Sequence, residues 1–218
     1  MARRTKRLID VVAALAGLVL LSPLLTVVAL TIRLRMGRPI FFRQFRPGYQ
    51  ARPFVLVKFR TMREEVDQDG VPVPDDQRVP KLGAFLRRTS IDELPQFWNI
   101  LKGDMSFVGP RPLSMEYLPR YSTEQARRHN VMPGLTGWAQ VNGRHMLSWE
   151  ERFALDTWYV DNWSLRLDMR ILRATVRKVF SGAGEAPPAT ADFGSAESDN
   201  VQARSMQSGS EASPPSRP

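Results

Sequence analysis

From Val11 to Ile32 the chain carries no charged side chain, a run of about 22 residues and long enough for a membrane segment. Ser22-Pro23 falls near its middle. Proline removes one helical hydrogen bond and clashes with the carbonyl four residues back, so two helical arms joined at a kink are predicted. The arms Leu8–Leu21 and Leu24–Ile32 would measure roughly 21 and 14 Å at 1.5 Å per residue, each short of a hydrocarbon core of about 30 Å. Arg3, Arg4, Lys6 and Arg7 precede the run, and Arg33, Arg35, Arg38 and Arg43 follow it. Positive charge on both sides suits a re-entrant hairpin with both ends cytoplasmic; a kinked spanning helix stays open on the same pattern. A signal peptide does not fit. The run is too long and leads into Arg33-Leu34-Arg35 without a small-residue cleavage site.

Further along, Pro39–Gln44 and Phe54–Phe59 are rich in β-formers and flank Pro47-Gly48, which predicts a β-hairpin. Asp67–Pro80, with three prolines and a glycine, reads as a surface loop. Lys81–Leu101 reads as helical with a break near Pro95, Phe107–Pro112 as irregular, and Ser114–Asn130 as helical but interrupted at Pro119. Met132–Arg144, with three glycines and a proline, reads as a long loop. Trp149–Val160 and Leu165–Phe180 read as helices. In the last, Leu165, Met169, Leu172, Val176 and Val179 form an apolar stripe beside a basic one of Arg166, Arg170, Arg173 and Arg177. A core helix with a solvated face and an interfacial helix on anionic lipid both fit that pattern. Residues 181–218 are Ser/Pro/Ala/Gly-rich and are predicted to be disordered. The fold class is α+β and mainly helical.

Composition narrows the chemistry. The 218 residues hold 31 Lys+Arg against 22 Asp+Glu, a net charge of +9. Residues 181–218 contain roughly 5 acids and 2 bases, so the body carries about +12, which calls for an anionic partner: nucleic acid, anionic lipid or a phosphate-bearing substrate. With no cysteine there is no thiol nucleophile or thiolate metal site, and His129 and His145 alone do not make a zinc centre. Any metal should be a hard, oxygen-bound ion such as Mg²⁺.

Ser90-Ile91-Asp92-Glu93 matches a helix capping box, with Ser90 as N-cap and Glu93 three residues on. Against that ordinary reading, Pro95 falls inside the helix so capped, and Arg87 and Arg88 put cations suited to phosphate one turn upstream. Gly109-Pro110-Arg111-Pro112 frames one arginine with two rigid prolines, either a fixed turn or a guanidinium preorganised for a bidentate contact. Gly137 to Arg144 places another arginine on a glycine-framed loop, and its Trp138 reads as core packing. Asp67-Gln68-Asp69 matches a D-x-D metal motif, but it follows Arg63-Glu64-Glu65-Val66 rather than a buried strand. There is no glycine-rich P-loop or dinucleotide fingerprint.

Taken in order, these segments resemble the bacterial sugar transferases, the monotopic phosphoglycosyl transferases. The resemblance rests on Lys6 to Asp10, Ser22-Pro23, Phe45 to Gly48, Lys58 to Met62, Asp92 to Gln96, Asn99 to Asp104, Met105 to Pro112 and Pro133 to Arg144. It implies a re-entrant membrane helix broken at Ser22-Pro23 in residues 1–36 and a cytoplasmic catalytic domain in 37–180 with amphipathic interfacial helices; the tail in 181–218 lies outside the family's pattern. Asp92 becomes the nucleophile, followed by Glu93, with Lys58, Arg87, Arg111 and Arg144 as substrate-binding cations. The offset from Asp92 favours Arg87 over Arg88. The implied reaction uses Mg²⁺, with Asp92 as a ligand, and a UDP-sugar. It passes through a phosphosugar–enzyme intermediate, releases UMP and delivers the phosphosugar to polyprenyl phosphate at the bacterial inner membrane. Nucleic acid is not an expected partner; the sugar and the oligomeric state are not legible. A non-enzymatic, membrane-anchored basic module is the rival reading. It would bind nucleic acid in a salt-dependent way and release no UMP.

Overall fold

The computed structural model describes residues 2–63, 78–143 and 147–180. Helix α1 (Ala2–Leu20) and helix α2 (Ser22–Met36) meet at a bend of 62°. The break falls where Pro23 has no N–H to give, and the Ser22 hydroxyl turns back to donate to the Val19 carbonyl at 2.8 Å. No single helix among the described residues is long and apolar enough to cross a membrane; the bent pair passes that test together.

Strands β1 (Phe41–Pro47) and β2 (Pro53–Phe59) form the expected antiparallel hairpin, with Phe42 opposite Lys58 and Arg46 opposite Phe54. Helix α3 (Lys81–Arg88) then approaches the end of β2 so closely that a Cβ on Gly83 would lie 1.9 Å from the Thr61 carbonyl oxygen. The predicted Lys81–Leu101 helix is three pieces: α3, a 3₁₀ turn at Ile91–Glu93, and helix α4 (Gln96–Lys102). Pro95 stands immediately before α4 rather than within it, where its missing N–H costs nothing.

Two stretches read as irregular hold the other sheet. Strand β3 (Ser106–Val108) pairs in parallel with strand β4 (Gly134–Thr136). Gly109 and Gly134 make this possible, because a Cβ on Gly109 would sit 2.2 Å from the Met132 carbonyl oxygen and one on Gly134 would sit 2.1 Å from the Gly109 nitrogen. Between the strands, the predicted 114–130 helix resolves into a 3₁₀ turn at Met115–Arg120 that contains Pro119, a single α-turn α5 (Thr123–Ala126) and a 3₁₀ turn at Arg127–Asn130. The break comes at Ser122, which caps α5, and not at Pro119. Helix α6 (Trp138–Asn142) follows β4 inside the predicted loop. Helices α7 (Trp149–Asp161) and α8 (Leu165–Phe180) match their predictions, and Trp138 packs as expected, stacked on Trp158 with centroids 5.3 Å apart.

On α8 the burial contradicts the stripe. Leu167, Asp168 and Ile171 face the core, while Met169, Val176 and Val179 are exposed beside the exposed Arg166, Arg170, Arg173 and Arg177. The core-facing side is organised by Asp168, a polar position that a search for apolar spacing passes over. Asp67–Asp69 and the 181–218 tail lie outside the described residues.

Three apolar clusters support the fold. Ala14 of α1, Phe54 and Leu56 of β2, Ile100 of α4 and Met105 form the first; Val28 and Ile32 of α2, Phe59 and Leu86 form the second; Val108, Tyr159, Leu167 and Ile171 form the third. The Ile91–Glu93 turn joins α3, packed in the second cluster, to α4, packed in the first.

Candidate active site

Ser90 does not cap a helix. It adopts φ 56°, ψ 18°, and its side chain makes no capping bond to the following turn. A non-glycine residue in the left-handed region costs about 1 kcal/mol or more, and here it turns the chain so that Asp92 points inward at 2 % exposure. The ordinary capping-box reading is therefore overturned.

Asp92 faces Lys58 on β2. Burial pushes the Lys58 ammonium below the usual lysine range; Asp92 opposes this most strongly among the charges, Arg111 reinforces it, Glu93 opposes it and Arg87 reinforces it. That set of neighbours is the site: Lys58, Arg87, Asp92, Glu93 and Arg111 come from four separate segments and converge. Lys58 also lies over the ring of its cross-strand partner Phe42, 5.1 Å from the centroid.

Each member is held from behind. Arg111 donates to Glu93 Oε1 at 2.5 Å, and its backbone carbonyl accepts from Arg128 Nη2 at 2.7 Å. Arg128 is itself fixed by a buried ion pair to Asp156. Arg87 Nε donates to the Thr61 hydroxyl at 2.9 Å, a contact the tight α3–Thr61 approach brings about. Asn99, fully buried on α4, accepts from Val57 N at 3.1 Å and donates to Val55 O at 2.7 Å, replacing a neighbouring strand along β2. The helix that follows Asp92 is thereby bonded to the strand that carries Lys58. Arg144 lies outside the described residues.

Sequence reasoning did not single out Thr61, Asn99 or Arg128 as supports, nor Arg46, whose guanidinium faces Arg111. Arg46 and Asn99 lie inside quoted motifs, so the signal was present without a role attached. Thr61 likewise lies inside the Lys58 to Met62 motif, whereas Arg128 carries no local pattern that marks it.

A second polar assembly anchors α1. Lys6 Nζ donates to Asp168 Oδ2 at 2.7 Å and to the Val108 carbonyl at 3.1 Å. The Tyr159 hydroxyl donates to Asp168 Oδ1 at 2.7 Å, and Trp163 Nε1 donates to Oδ2 at 3.1 Å. Burial pushes the Tyr159 phenol well above the ordinary tyrosine range, and Asp168 adds to the shift. Arg7 donates to the carbonyls of Ile100 and Leu101, and Asp10 accepts from Phe107 N.

A buried carboxylate, Asp92, beside the half-buried Glu93 and among converging cations makes a site suited to nucleophilic chemistry on a phosphate ester. Comparison with known proteins assigns the chain to a family. The family model described as Bacterial sugar transferase matches residues 1–182. The uncharacterized sugar transferase EpsL of Bacillus subtilis is 55 % identical over 179 residues, covering 82 % of this chain and 89 % of that protein. The UDP-glucose:undecaprenyl-phosphate glucose-1-phosphate transferase of Escherichia coli is 42 % identical over 189 residues, and the chain spans 40 % of its length. An Aeromonas hydrophila UDP-N-acetylgalactosamine-undecaprenyl-phosphate N-acetylgalactosaminephosphotransferase is 38 % identical over 187 residues, with 44 % of its length spanned. Across both its sheets and its candidate site, the chain belongs to the bacterial sugar transferase family.

Proposed function

We propose that this chain transfers a phosphosugar from a UDP-sugar to polyprenyl phosphate at a membrane surface, through a covalent intermediate on Asp92. The observation that carries this reading is the convergence of Lys58, Arg87 and Arg111 on the Asp92-Glu93 pair. Aspartate carboxylates are ordinarily ionised at neutral pH and need no general base to attack phosphorus. The difficulty is repulsion between that anion and a diphosphate. Lys58 and the two arginines offset it by drawing charge from the non-bridging oxygens.

In the first step an Asp92 carboxylate oxygen bonds to the sugar-bearing phosphorus, the bridging P–O bond breaks, and UMP leaves with the electron pair. In the second, an oxygen of polyprenyl phosphate bonds to the same phosphorus and the acyl-phosphate bond breaks, which regenerates the carboxylate. Before substrate binds, the Glu93–Arg111 ion pair neutralises Arg111 internally. An incoming phosphate exchanges with Glu93 for the guanidinium.

The donor set fits Mg²⁺. No group of three or more His, Asp or Glu suited to a metal occurs among the described residues, yet Mg²⁺ is commonly held by one or two carboxylates together with substrate phosphates. Asp92 and Glu93 would hold it, and it would supply further neutralisation of the diphosphate.

The membrane reading is supported by the apolar surface of the bent pair, where Leu20 is 77 % and Leu34 83 % exposed. The exposed Met169, Val176 and Val179, beside four arginines on α8, suit an anionic headgroup layer in the same way.

The test is UMP release from a panel of UDP-sugars by nanodisc-held protein with Mg²⁺ and undecaprenyl phosphate. Release that depends on both sugar nucleotide and lipid, with a labelled phosphosugar adduct on the protein before acceptor is added, supports the scheme. Wild-type turnover by Asp92→Asn would remove the nucleophile assignment. Sequential kinetics without an adduct would point to direct attack by the lipid phosphate.

A further inference from the structure

Arg46 belongs to no contact described so far except its approach to Arg111. It lies near the end of β1, where Nη2 donates to Gln44 Oε1 at 2.6 Å and Nε is buried without a hydrogen-bond partner. No ion pair involves it among the described residues. The groups that face it are Arg111 first, then Tyr117, Glu116 and Tyr121. Burial, followed by Arg111, pushes its guanidinium below the ordinary arginine range.

The surroundings repeat this imbalance. Arg111 also acts on Lys58 on one side and on Arg152 on the other. Arg46, Lys58 and Arg152 are thus each neighbours of Arg111, while Asp156 is paired with Arg128 and Glu93 with Arg111. The two segments abut: Pro47 and Gly48 share a small cavity with Pro110, Arg111 and Pro112. Prolines on both sides hold the backbones there, so the two Cα positions from which the guanidiniums extend are fixed relative to each other. Packing like charges together in a desolvated place costs free energy that an anion between them recovers.

We propose that Arg46 is a phosphate-binding residue that joins Arg111 in an anion subsite beside the Asp92 centre and receives a phosphate ester of one of the two substrates. This rests on the transferase reading for its substrates. Its geometry stands apart from that reading, and so does the calorimetric arm of its test.

Full-length protein in nanodiscs would be titrated calorimetrically with UMP and with inorganic phosphate, as wild type, Arg46→Gln and Arg46→Lys. The KM for undecaprenyl phosphate would be measured on the same samples. Weaker UMP and phosphate binding in Arg46→Gln, by about tenfold or more, supports a nucleotide-side phosphate at Arg46. A comparable rise in acceptor KM with unchanged UMP affinity supports the lipid phosphate there. Arg46→Lys, which keeps the charge and loses the planar fork, should fall between wild type and Arg46→Gln. Unchanged UMP affinity, phosphate affinity and acceptor KM in folded Arg46→Gln overturns the proposal. If that variant does not fold, the same three unchanged values in Arg46→Lys overturn it. Wild type that binds UMP through Arg46 but releases none from any UDP-sugar would sink the transferase reading and leave the subsite standing.

Discussion

Two charge assemblies lie inside this protein, and they are built on opposite plans. Around Asp168 both carboxylate oxygens are taken by Lys6, Tyr159 and Trp163, and Arg128 and Asp156 close on each other at 1 % and 3 % side-chain exposure. Charge is matched there one for one. Around Asp92 the cations outnumber the acids, with Lys58, Arg87 and Arg111 against Asp92 and Glu93, and Arg46 beyond them. Matched, saturated pairs hold a fold together, whereas a surplus of half-buried cations is a place for an anion that comes and goes.

The sharpest way to break this distinction is to remove one carboxylate from each assembly. Asp92→Asn is expected to lower UMP release by about a thousandfold or more while the melting temperature moves by no more than about 3 °C. Asp168→Asn leaves the Lys6 ammonium buried without its counter-charge and should destabilise the protein by about 3–5 kcal/mol in denaturant unfolding. The reverse pattern, with Asp92→Asn unfolded and Asp168→Asn stable, would reverse the roles.

A smaller effect comes from His129, next to Arg128 in the structural assembly. Burial, then Arg128, lowers its pKa from 6.5 to about 4, with a bond to the Gly48 backbone opposing. The unfolded chain takes up this proton first, so the contribution of neutral His129 is complete above pH 6.5 and is lost as pH falls toward 4. That loss is about 3 kcal/mol at full extent. His129→Gln should flatten the fall in unfolding free energy across this interval, and an unaltered slope would place the acid sensitivity elsewhere. The mildest test concerns Arg87, which is steered by the hydrogen bond its Nε donates to the Thr61 hydroxyl. Thr61→Val should raise the KM for UDP-sugar about fivefold, with little change in unfolding.

What could be read in advance follows the range of the interaction. The β1–β2 hairpin was legible because its β-formers flank a nearby Pro-Gly turn. The β3–β4 pair was not, since each strand has three residues and its partner is fixed by glycines that permit backbone contact. The α8 bounds were legible but its buried face was not, because Asp168 enters the core on the strength of partners from α1 and α7. In the site, the Asp92-Glu93 step could be read two ways until Ser90 was seen in the left-handed region. Arg87 and Arg111 were marked by their local settings and Lys58 by the resemblance alone, and no local spacing predicts that the three meet. Arg46 was quoted within a motif and given no task, because its meaning lies in the cation it faces.

The first turns of α1 do more than precede an apolar segment. Lys6, Arg7 and Asp10 clasp β3, α4 and α8, and Ala14 closes the first apolar cluster. Trimming the greasy end of this chain to make it easier to handle would bare Ile100 and Met105 to water and strand the Asp168 carboxylate in the interior. Solubility gained that way would come from a different object.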